Sequence, residues 1–86
     1  MRDIDQVIRR VTSVCPETRV RQLTVQHTAD DDGLWFFEQP ACKFEVQVES
    51  STGMCPFLIE TDENAERFTA STITEAVDIV SKLLHL

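Results

Sequence analysis

This chain of 86 residues has two glycines, three prolines and no tyrosine. So few chain-loosening residues leave no stretch that reads as a flexible linker between two domains, so a single domain over residues 1–86 is expected. Cations are scarce, with eight Lys and Arg against fifteen Asp and Glu and a net charge of −7. Nucleic-acid binding relies on Lys and Arg to displace counterions from phosphates, so that class is disfavoured. Binding to anionic membranes is disfavoured for the same reason. No run of about 18 apolar residues is present, so no membrane-spanning helix is expected. Met1-Arg2-Asp3 leads into a mixed polar pattern rather than the apolar core of a secretion signal. Three cysteines cannot all pair within one chain. A reducing, cytoplasmic compartment is the simplest expectation.

Chemical motifs are missing too. Cys15, Cys42, Cys55, His27 and His85 include no Cys-x-x-Cys or His-x₃-His pair, the usual mark of a zinc site. No Gly-x-Ser-x-Gly and no glycine-rich phosphate loop occurs. Asp30-Asp31-Asp32-Gly33 invites a calcium reading. With Gly33 as the sixth residue of such a loop, its first and last ligand positions fall on Thr28 and Gln39, and both fail. An acidic turn is the better account. Glu45, Glu49 and Glu60 could pair across strands, but acid–base catalysis needs such a pair in a cleft, not on an open sheet. Cys15-Pro16 and Cys55-Pro56 resemble the two-residue Cys-Pro motif of some haem-regulated proteins. Two residues carry little specificity. Ending a helix at Pro16 and fixing the start of a strand at Pro56 explains both. No metal, no cofactor and no catalytic residue is therefore expected.

What is present is clear periodicity. Ile4, Val7, Ile8, Val11 and Val14 form one helical stripe over about residues 3–14, with Asp3 as the expected N-cap. From Val20 the period becomes two, with Leu23, Val25 and His27 sharing a face. After the turn at Gly33 comes Leu34-Trp35-Phe36-Phe37, the most informative stretch of the chain. A strand there puts Leu34 and Phe36 on one face and Trp35 and Phe37 on the other. Phe44, Val46 and Val48 alternate with Glu45, Gln47 and Glu49, giving one core face and one wet face. Phe57-Leu58-Ile59-Glu60 reads as a further strand, and Arg67-Phe68-Thr69-Ala70 as a short edge strand. Thr72 and Glu75 make a capping box. Ile73, Ala76, Val77, Val80, Leu83 and Leu84 then form a second helical stripe, with Asp78 placed to pair with Lys82.

The expected fold is α+β, a two-layer sandwich in the order α-β-β-β-(β)-α. Its antiparallel sheet has three to four strands, and both helices cover one face. At the level of topology this order resembles the double-stranded-RNA-binding domain. Such domains begin their second helix with lysines that reach phosphates. Here that turn reads Thr72-Ile73-Thr74-Glu75-Ala76, so the function is not carried over.

Helices on one face leave large apolar side chains on the other. The first expectation is a small, acidic, non-enzymatic protein-interaction module. It would form a homodimer or bind another protein through Trp35, Phe37, Glu45, Gln47, Glu49 and Leu58. Leu34 and Phe36 are the alternative outward pair, and strand order decides between the pairs. A second reading is a small-molecule or cofactor pocket between sheet and helices near His27 and Cys55. A third is an acidic inhibitor of the immunity type, for which only the charge speaks. The charge is uneven, with +2 on residues 1–21 and −9 on residues 22–86.

Overall fold

A computed structural model describes residues 2–23, 33–62 and 66–84. Seven elements follow one another: α1 (Asp3–Val14), β1 (Arg19–Gln22), β2 (Leu34–Glu38), β3 (Val46–Glu49), β4 (Phe57–Thr61), β5 (Arg67–Ala70) and α2 (Ile73–Leu83). The strands form one antiparallel sheet in the order β1-β2-β3-β4-β5, a simple meander. The sandwich is as expected, with five strands in place of three to four. The additional strand comes from both edges forming: Arg19–Gln22 pairs with β2, and Arg67–Ala70 pairs with β4.

Both helices contribute to one core. Ile4, Val7 and Val11 of α1 and Ala76, Val80 and the adjoining Leu84 of α2 are fully buried with Phe37, Val46, Val48, Phe57 and Ile59. Ile8 packs at the margin of this core, whereas Val14, expected in the stripe, is 63% exposed. Val14 is the last residue of α1, one turn beyond Val11, where the helix has run past the core. The next residue, Cys15, caps the helix by donating its N–H to Val11 O at 3.0 Å, and Pro16 follows. Among the described residues no helix is long and apolar enough to cross a membrane.

The start of α1 departs from expectation. Arg2, not Asp3, is the N-cap residue, and its backbone N–H donates to the Asp5 carboxylate at 3.0 Å. Asp3 uses its own carboxylate to accept the Cys55 N–H at 2.9 Å, while Ile4 N–H donates to Gly53 O at 2.8 Å. The turn before β4 thus satisfies a helix end that local capping would otherwise serve. Gly53 has φ +76°, and a Cβ there would lie 3.0 Å from Arg2 Cδ and 3.2 Å from Ile4 Cγ2. Only glycine meets both demands without strain. At α2 the Thr72 cap forms, though only one half of the expected capping box: the Thr72 hydroxyl accepts the Glu75 N–H at 3.1 Å, while the Glu75 carboxylate faces the Thr72 hydroxyl; Lys82 meets Asp78 at 3.1 Å. The far end of α2 is held by Gln39, a buried side chain whose Nε2 donates to Leu84 O at 2.8 Å.

Candidate functional site: the open face of the sheet

Register decides which aromatics are free. Trp35 pairs with Val48 and Phe37 with Val46, and paired residues of an antiparallel ladder share a face. Val46 and Val48 point to the helices, so Trp35 and Phe37 do too, at 3% and 0% exposure. The expectation that Trp35 and Phe37 form a binding surface is therefore corrected: they are core. The outward pair is Leu34 and Phe36, both half-buried.

The open face can be read row by row. One row runs Arg21, Phe36, Gln47, Glu60, Arg67 across all five strands. The next runs Leu34, Glu49, Leu58, Thr69, and Leu23 extends it by donating its N–H to Leu34 O at 2.8 Å. Leu34 and Phe36 are thus apolar neighbours on the side away from both helices, with Leu23, 37% exposed, at the margin and Leu58 on the same side beyond Glu49. Glu45, Gln47, Glu49 and Leu58, expected on this face, lie on or beside it.

The charges are arranged around those side chains. Arg21 stacks on Phe36, its guanidinium carbon 4.3 Å from the ring centroid, and donates to Glu45 Oε2 at 3.0 Å. Arg67 meets Glu60 at 3.4 Å. The register sets Glu60 between Gln47 and Arg67, so neither Glu45 nor Glu49 is its direct cross-strand partner. Exposed pairs of this kind are worth about 0.2–1 kcal/mol each, so they orient side chains more than they stabilise the fold. Glu49 differs. It is exposed, sits between Leu34 and Leu58 in the register, and makes no ion pair among the described residues. Sequence alternation alone does not place Arg21 and Arg67 on this face, since their pairing depends on which strands are neighbours.

Among the described residues, shallow grooves flank the face. One, of about 270 Å³, is bounded by Glu49, Ser50, Pro56, Leu58 and Thr69. The other, of about 310 Å³, lies at the opposite corner beside Arg19, Glu38, Pro40, Lys43 and Phe44. Neither is lined by Cys55, which sits beside the start of α1. Its thiol pKa is raised, first by burial and then by the Asp3 carboxylate. Cys15, Cys42 and Cys55 are all free thiols. Among the described residues no three His, Cys, Asp or Glu side chains gather where they could hold a metal. His27, His85 and the Asp30-Asp31-Asp32 run, and with them the pocket expected near His27, lie outside the described residues.

No family model matches the chain, and no curated protein or solved structure shows significant similarity to it.

Proposed function

We propose that this chain is a small, non-enzymatic protein-interaction module of the cytoplasm that takes a protein partner on the open face of its sheet. One observation carries the reading: Leu34, Phe36 and Leu58 all lie on the face that neither helix covers, with Glu49 between Leu34 and Leu58. Apolar side chains bordered by carboxylates have the build of an interface core with a polar rim. The face is small. Five strands spaced by about 4.8 Å, with four or five residues rising about 3.3 Å each, span roughly 300 Å² in projection. A stable interface between two proteins covers about 800 Å² on each side. Contacts through this face alone are therefore transient, or extend beyond it.

The double variant Phe36→Ser/Leu58→Ser tests the reading. Both positions lie outside the buried core, so the far-UV circular dichroism of the wild type is retained. Light scattering over a concentration series reports self-association, and immobilised chain reports capture of other proteins. Loss of either in the variant, with the fold intact, supports the proposal. A wild type that is monomeric throughout and retains the same proteins as the variant refutes it.

A further inference from the structure

We propose that the partner presents a cationic segment to this face, with a lysine or arginine of that segment meeting Glu49. The inference rests on the reading that the face binds protein, and adds the chemistry of what it binds.

The argument begins with what the face has already neutralised. Its arginines are committed: Arg21 to Glu45 and Phe36, Arg67 to Glu60. Glu49 keeps a carboxylate with no ion pair among the described residues, with Leu34 on one side and Leu58 on the other. Any partner that covers the two leucines must also desolvate Glu49. Covering a carboxylate without a counter-charge is costly, so an apolar or acidic partner is penalised where it would make its best contacts. A lysine or arginine removes that penalty, and its aliphatic stem lies naturally against leucine. Glu49 also borders the groove of about 270 Å³ that runs past Pro56 and Leu58, which gives such a side chain room.

Long-range electrostatics point the same way. A net charge of −7 attracts a cationic segment and repels acidic ones. A second copy of this chain is the weaker occupant on two counts. It carries the same −7, and the face alone falls well short of the area a stable dimer needs. A short segment fits both the size and the charge.

The test is selection from a random peptide library displayed on phage, using the whole immobilised chain. Affinities of the selected peptides are then measured for wild type, Glu49→Gln and Phe36→Ser/Leu58→Ser. Lys or Arg next to apolar residues should be enriched. Glu49→Gln should weaken binding roughly tenfold, equivalent to about 1.4 kcal/mol, and added salt should shrink that difference. Peptides without cationic bias, or with equal affinity for Glu49→Gln, overturn this inference while leaving the face as a binding surface. If no peptide is selected, or the selected ones bind the Phe36→Ser/Leu58→Ser variant as tightly as wild type, the reading of the face fails and this inference with it.

Discussion

Phe36 and Phe37 are neighbours in the chain and opposites in the fold, so truncating each in turn tests the face assignment on which the functional reading depends. Phe37 is fully buried against Val46 and its surroundings. Phe37→Ala removes that packing and leaves a cavity, at a cost of about 3–5 kcal/mol. A chain of 86 residues has a total stability of roughly 4–13 kcal/mol at 0.05–0.15 kcal/mol per residue. The Phe37 variant thus loses from about a quarter to all of that stability. Phe36 is half-buried and stacks under Arg21. Its truncation loses about half of a phenylalanine's transfer free energy and one exposed cation–π contact, together about 1–2 kcal/mol. Urea unfolding separates the two cases. Trp35, the single tryptophan, is buried and reports the transition by fluorescence, and circular dichroism provides an independent probe. Phe37→Leu keeps the comparison measurable if Phe37→Ala does not fold. The result that refutes the reasoning is a Phe36→Ala variant that loses as much stability as Phe37→Ala, since both side chains would then be core.

Gly53→Ala should cost about 1–2 kcal/mol, because alanine must adopt a positive φ there. The flexible Arg2 side chain can move away from the new methyl, so the contact with buried Ile4 sets any excess. An unchanged urea midpoint would show that the turn does not hold the start of α1. Cys55 should react slowly with a thiol reagent at neutral pH, since burial and Asp3 keep its thiol protonated. The sign follows for stability as well: folding favours the neutral thiol, so this contribution is present at neutral pH and fades in alkali as the unfolded-state thiol ionises. Asp3→Asn should speed the reaction only in part, burial being the larger cause, and a rate equal to that of an unfolded peptide cysteine would contradict this account.

Much of the fold was legible because local signals agreed with tertiary needs. The second helical stripe, the first as far as Val11, the Thr72 cap, the helix stop before Pro16 and the alternation of Val46 and Val48 all match the expectation. The N-cap expected at Asp3 falls on Arg2 for a physical reason. A helix N-terminus can be satisfied from afar, and the Gly53–Cys55 turn does so here while occupying the Asp3 carboxylate. The face of the aromatic strand was not legible at all. A one-residue change in register exchanges the two faces of a strand. That register is set by the length and shape of the connection from Glu38 to Val46, where Gln39 turns inward to hold the end of α2. No pattern within Leu34–Phe37 encodes that choice, because both of its faces are apolar. The candidate site was therefore half legible. Gln47, Glu49 and Leu58 could be placed by alternation, whereas Phe36 and its stacked Arg21 depended on long-range pairing.

The edges of the sheet bear on how the face is used. An edge strand exposes backbone groups that a second copy could pair with, and charged side chains are a common defence. β1 carries Arg19 and Arg21 at one edge, and β5 carries Arg67 at the other. Pairing β1 with β1 of another copy in antiparallel fashion would set arginines close to arginines, which is destabilising. The positive charge of residues 1–21, at odds with the rest of the chain, thus falls partly where it discourages extension of the sheet. Arg21 serves the face too, since it shields one side of Phe36 while Glu45 holds it in place. With cations on both edge strands and the helices covering the core, the proposed recognition falls to the face around Glu49. On the proposed reading, a partner approaches that face broadside, with its own cation toward Glu49, and does not add a strand to the sheet.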